Sequence, residues 1–238
     1  MRLNLICSLA LLLAAAQAAQ GQGYPNGPTG PGSVPGITGN GGRGQPNDEM
    51  PNTPVEVKPD KAASKAFAAG TKTMNKVHEL EEVVANSTDP EKKAKAQYKL
   101  DDAYGKALDQ FTEVLRNKND MYQAWSQVGY VHYRLGAYRE AVDDYNHVLT
   151  LKPDLIEAIA YRGEAYLSVD RLDEAKAAYM DLFFHARPLA DQMMVLMQGW
   201  LQSHRAAANG VRPSDIDAFD KWLQERDAIA KTTASTAN

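Results

Sequence analysis

Three segments of the chain lie over one another without a gap, each displaced from the last by 34 residues. They are DDAYGKALDQFTEVLRNKND (101–120), LGAYREAVDDYNHVLTLKPD (135–154) and VDRLDEAKAAYMDLFFHARP (169–188). Tyr104, Tyr138 and Leu172 fall at one position, Ala107, Ala141 and Ala175 at a second, and Phe111, Tyr145 and Tyr179 at a third. Upstream, Gly129 aligns with Gly163 and Trp125 with Ile159. A period of this length, alternating small and large side chains, predicts stacked helix-turn-helix units. Gly129 and Gly163 carry no Cβ, so the partner helix of each unit can come close, and Ala141 and Ala175 do the same from the other side. The aromatic one turn after each alanine fills the next gap. Gly136 is placed to take a left-handed cap between the two helices of its unit. Pro153 ends the second helix, having no N–H to give and a ring that clashes with the preceding turn.

This pattern resembles the tetratricopeptide repeat family. The second unit matches its motif at Trp125, Gly129, Ala141, Tyr145 and Pro153 and departs at Val128, His132 and Val148. The third matches at Gly163, Tyr166, Ala175 and Tyr179, with Arg187-Pro188 moving the proline by one position. The first matches only in its second helix, at Ala107 and Phe111. The resemblance implies an all-α, right-handed helical solenoid of two good repeats plus one degenerate repeat. It also implies a protein-binding scaffold, in which the first helix of each unit lines a concave groove. On that alignment the groove receives Gln123, Ser126, Gln127, Tyr130, Tyr133 and Arg134 from one unit and Glu157, Tyr161 and Glu164 from the next. Such a mixed aromatic and polar surface suits an extended peptide or a helix, unless the tyrosines pack against neighbouring helices instead.

Two units cannot bury their own apolar faces, so the flanks must cap them. Residues 60–119 are expected to form an N-terminal helical hairpin that includes the degenerate repeat. Its first helix, over 61–85, aligns Phe67, Gly70, Met74, Val77, Leu80 and Val84 on one face. Residues 90–117 read either as a helical pair or as one long helix. Thr88 and Glu91 have the spacing of a capping box before Pro90. Residues 120–188 hold the two units, and 189–230 the C-terminal capping helices. Those helices bury Met193, Leu196, Met197, Trp200 and Leu201, then Ile216, Phe219, Trp222 and Leu223, with Ser214 as the expected N-cap. The tail, 231–238, should fray.

The other end reads differently. Arg2, the apolar run from Leu3 to Ala16 and the small residues of Ala16–Ala18 form an export signal over residues 1–19. A periplasmic or extracellular destination is therefore expected. Residues 20–59 hold ten glycines and eight prolines in forty positions, too few apolar side chains to offset the entropy of ordering, and read as a disordered linker. The only cysteine, Cys7, lies within the signal, so a mature chain would have neither disulfide nor thiolate. The formal charge is −4, with no basic-aromatic cluster, which argues against nucleic acid as a partner.

Chemistry is sparse. His78, His132, His147, His185 and His204 fall one per helix with no ligand spacing among them. His132, at an aromatic position of the repeat, is expected to pack. Asp101-Asp102 and Asp143-Asp144 read as solvated helix faces, and the methionines of MMVLMQGW as core filling. No cofactor and no metal are expected. The leading expectation is an exported, non-enzymatic adaptor for another envelope or secreted protein; a self-associating structural protein and an envelope hydrolase are the alternatives.

Overall fold

The structure, a computed structural model, describes residues 61–207 and 210–235. The expected signal and Gly/Pro-rich linker lie outside them, as do the last three residues. Among the described residues the fold is all-α, with eight helices and no strand. They are α1 (Lys61–Asn86), α2 (Pro90–Asn117), α3 (Tyr122–Arg134), α4 (Tyr138–Leu151), α5 (Ile156–Ser168), α6 (Leu172–His185), α7 (Arg187–Ala206) and α8 (Pro213–Ser235). Consecutive helices pack in pairs, and α2 packs on α3, α4 on α5 and α6 on α7, so the pairs stack in order.

The stacking follows from the repeat positions. Ala107, Ala141 and Ala175 are wholly buried, as are Phe111, Tyr145 and Tyr179. A Cβ added to Gly129 would sit 3.2 Å from Tyr145 and Asp144, and one on Gly163 would sit 2.8 Å from the Ala178 Cβ. Gly136 turns the chain between α3 and α4 with φ +79°. One period later the same left-handed turn is taken by Asp170, φ +61°.

The first hairpin obeys the same rule in a longer form. A Cβ on Gly70 would meet the Phe111 ring at 2.7 Å, so Gly70 stands to Phe111 as Gly129 stands to Tyr145. The two residues are 41 positions apart in the first hairpin and 16 apart in the second. The 25 extra residues are all helical: α1 runs 11 residues further past its glycine than α3 does, and α2 starts 14 residues further ahead of its aromatic than α4 does. The first unit is thus a repeat whose turn has been pushed outward by roughly 17–21 Å, at about 1.5 Å per residue. This settles the reading of 90–117: it is one helix of 28 residues, and position 102, which aligns with the turn residues Gly136 and Asp170, lies in its middle.

Three local expectations are corrected. The cap of α2 is Asp89, whose Oδ1 accepts the backbone N–H groups of Glu91 and Lys92. Thr88 lies one residue too early, because Pro90 occupies the first helical position and shifts the frame. Ser214 lies inside the first turn of α8, where the Arg212 carbonyl accepts from Asp215 and Ile216. The final helix continues to Ser235, into the segment expected to fray. Among the expected cap residues Met193, Met197, Trp200, Leu201, Ile216, Phe219 and Leu223 are buried, and Leu196 and Trp222 are half-buried.

Candidate functional site

The polar centre of the molecule is Glu81. It lies on the apolar stripe of α1, between Val77 and Val84, and is 4% exposed. Its carboxylate ties three helices together. Tyr104 of α2 donates its hydroxyl to Oε1. Tyr130 of α3 donates to the two oxygens at 2.8 and 2.9 Å. Arg134, one turn further along α3, places Nη2 at 3.2 Å from Oε1, and His78 Nδ1 lies 3.2 Å from Oε2. Burial opposes ionisation here, but the His78 hydrogen bond, the Arg134 charge and the tyrosine hydroxyls outweigh it and hold the carboxyl below the usual range.

A second interior carboxylate, Glu164 of α5, has less support. Tyr133 donates to its Oε2 at 2.9 Å, and burial pushes its carboxyl up to about 7 against that bond and the Arg134 charge. Around it, Tyr145 and Tyr161 stack with centroids 5.7 Å apart and planes 6° from parallel. Tyr130 and Tyr133 meet Tyr161 edge-on at 5.7 and 6.0 Å, the offset geometry that ring quadrupoles favour. The buried hydroxyls of Tyr145 and Tyr161 have no hydrogen-bond partner among the described residues.

The structure therefore brings most of the expected groove residues together, in the interior. Gln127, Tyr130, Tyr133, Tyr161 and Glu164 are buried, as is Ser126. Gln123, Arg134 and Glu157 keep partial exposure. Tyr130 leaves solvent toward Glu81 on the overlong α1, Tyr133 toward Glu164 of α5, and Tyr161 by stacking on Tyr145 of α4. His132 is half-buried as expected, and Asp144 corrects the solvated-face reading: it is buried, and its Oδ2 lies 2.6 Å from His132 Nδ1. That hydrogen bond holds the imidazole pKa above its ordinary value. Asp101, Asp102 and Asp143 are exposed.

Between the outward-pushed turn of the first hairpin and the α3–α4 turn lies a notch of about 260 Å³. Tyr104 and Leu100 of α2 form one wall, and Tyr133, Leu135 and Tyr138 the other. The Glu81–Arg134 pair lies at its base and Asp101 on its rim.

One serine, histidine and aspartate come together elsewhere. Ser203 Oγ is 3.2 Å from His204 Nδ1, and His204 Nε2 is 3.3 Å from Asp170. Ser203 Oγ also donates to the Trp200 carbonyl at 2.7 Å, and His204 Nδ1 lies 3.0 Å from that same oxygen. A nitrogen that donates to a carbonyl cannot accept the serine proton. The His204 ring instead stacks on Trp200, whose Nε1 donates to Asp170 at 2.9 Å, so the cluster pins the left-handed α5–α6 turn to α7. Among the described residues no group of His, Cys, Asp or Glu is placed to hold a metal ion, and no helix is long and apolar enough to cross a membrane.

The family model described as tetratricopeptide repeat matches residues 122–155, the α3–α4 unit and the loop after it. No curated protein matches the chain. Among solved structures it is similar to the TPR2B domain in the pHsp70 complex of yeast Sti1, at 13% identity over 69% of this chain and 98% of that one, with a TM-score of 0.35. It is also similar to the MamA RS-1 ArsTM double mutant, at 16% identity over 70% of this chain and 97% of that one, with the same TM-score, 0.35. The chain thus carries a tetratricopeptide repeat in its middle. The repeat character of its neighbours rests on the packing of Gly70 on Phe111 and on the recurrence of Gly129 and Tyr145 as Gly163 and Tyr179 one period later.

Proposed function

We propose that this chain is a non-catalytic scaffold, exported by its N-terminal signal, that binds another envelope or secreted protein. The observation that carries the reading is the stack itself: helical pairs whose repeat positions are spent on close packing, Gly70 on Phe111, Gly129 on Tyr145 and Gly163 on Ala178 and Met193. Their buried carboxylates are committed to hydrogen bonds within the interior. A fold organised in this way offers helix edges, and contact with a protein partner is what such edges serve. With the central tyrosines buried and Arg134 paired with Glu81, the expected groove residues left for contact on α3 and α5 are Gln123 and Glu157.

Photo-crosslinking in the native host tests this. A benzophenone side chain at Gln123 or Glu157 is expected to trap one discrete partner, while the same group at exposed Lys221 of α8 traps none. Equal capture from all three positions would refute the placement. Export is tested separately, by the mass of the mature protein, which should begin near Ala19 or Gln20; an intact Met1 in the envelope fraction would refute cleavage.

A further inference from the structure

The notch beside the α3–α4 turn belongs to no repeat. It exists because α1 and α2 overshoot their own turn and overhang the next one, and α3–α4, of ordinary length, makes no such overhang above α5–α6. We propose that this notch binds a protein partner through a single arginine or lysine side chain on an extended segment, at a site separate from the α3–α5 edge.

Size is the first argument. A space of about 260 Å³ lies below the roughly 300–1,000 Å³ of small-molecule sites, yet admits one long side chain. The walls are the second. The rings of Tyr104, Tyr133 and Tyr138 line the notch, and aromatic faces attract cations. Two of the hydroxyls are taken up by carboxylates: Tyr104 donates to Glu81 and Tyr133 to Glu164. A phenol that donates to a carboxylate keeps a more electron-rich ring, which strengthens that attraction. Leu100 and Leu135 give the aliphatic stem of the guest an apolar bed, and Leu135 is 49% exposed, so the entrance is open.

Charge is the third argument and fixes the sign. At the base Arg134 and Glu81 neutralise each other. The remaining charge is Asp101, exposed on the rim, whose Oδ1 accepts only the neutral Gln97 amide at 2.8 Å. The notch therefore carries one uncompensated carboxylate and repels an anionic guest. A cation reaching in over the tyrosines meets Asp101 with its head.

The test uses the full chain with labelled tyrosines, titrated by NMR with the peptide acetyl-Ala-Gly-Arg-Gly-Ala-amide and with the same peptide carrying Lys, Gln or Glu at its centre. The Arg and Lys peptides are expected to shift Tyr104, Tyr133 and Tyr138 saturably, the Gln peptide to bind at least fivefold more weakly, and the Glu peptide to leave them unmoved. Asp101→Asn should weaken the Arg peptide about threefold, the scale of one exposed ion pair, with unchanged far-ultraviolet circular dichroism. Asp102→Asn removes the same charge from the adjacent exposed position, which does not line the notch, and should leave affinity unchanged. The proposal is overturned if Asp102→Asn matches Asp101→Asn, if the Gln peptide binds as well as the Arg peptide, or if the notch tyrosines do not shift.

Discussion

Replacing Gly163 by alanine puts a methyl group where the fold has left no room. The new Cβ would lie 2.7 Å from Met193 Cε, 3.1 Å from its Sδ and 2.8 Å from the Ala178 Cβ. Methionine can swing its thioether aside. Ala178 cannot, because its Cβ is fixed to the α6 backbone, so α6 must retreat by the better part of an ångström to reach an ordinary carbon–carbon separation of about 3.5–4 Å. Such overpacking costs about 1–3 kcal/mol, offset by the roughly 1 kcal/mol that alanine gains over glycine in a helix. A net loss of up to about 2 kcal/mol is expected, lowering Tm by up to about 8 °C in a domain of this size. Gly199 supplies the control, since it is also helical but has no neighbour within 4 Å of its added Cβ; Gly199→Ala should raise Tm by about 2–4 °C. Thermal unfolding followed by circular dichroism reads both. The pair Gly163→Ala with Ala178→Gly should couple favourably by about 1 kcal/mol, because the second change removes the atom that the first collides with. If Gly163→Ala melts above the parent temperature, or the double variant is simply additive, glycine does not set the approach of these helices and the repeat argument fails with it.

Glu81→Ala leaves Arg134 without its carboxylate and two tyrosine hydroxyls without an acceptor; a loss of about 3 kcal/mol is expected in urea unfolding, and a loss under 1 would show that the α1–α2–α3 tie is not structural. Glu164 gives a pH signature. Its folded-state pKa, about 7, stands above the ordinary 4.5, so its contribution to stability is complete below the ordinary value and disappears as pH rises through 7, a change of about 3 kcal/mol. Glu164→Gln should flatten the stability curve between pH 5 and 8, and parallel curves for the two proteins would contradict this. Asp170→Ala keeps the left-handed turn but removes the acceptor of Trp200 Nε1 and His204, so it should cost about 1–3 kcal/mol, whereas Asp170→Gly should cost less by relieving the backbone. Equal losses for the two would show that the turn conformation carries no strain.

How far the chain can be read without coordinates depends on the range of the interaction. Gly129, Ala141 and Tyr145 announce their packing because they recur at a fixed offset, and Gly136 because a turn between two helices needs its conformation. Gly70 was visible on the α1 stripe, but its partnership with Phe111 was hidden, since the extra helical residues between them broke the offset that betrays the other pairs. Glu81 sits among Glu79 and Glu82 and reads as one more solvated acid. The available signal was its phase: the steps from Val77 to Glu81 to Val84 are those of the apolar stripe, so a charge there must be met by partners from elsewhere. Which partners meet it depends on α1 crossing α3, and nothing local to α1 reports that crossing. The groove assignment lacked the same kind of information, because Tyr130 turns to Glu81, 49 residues upstream, Tyr133 to Glu164, 31 residues downstream, and Tyr161 onto Tyr145. Asp144 followed its neighbour Asp143 in the reading, although one residue of helix turns a side chain by about 100° and separates an exposed position from a buried one.

The overhanging first hairpin gives the molecule a dimension that can be retuned by itself. Matched whole turns could be trimmed from or spliced into the outer ends of α1 and α2 while Gly70 stayed opposite Phe111, much as a gable is raised without moving the walls below. Chains sharing this framework could therefore differ in the height of the ledge, and with it in the depth of the cleft beneath, while every joint of the stack kept its register.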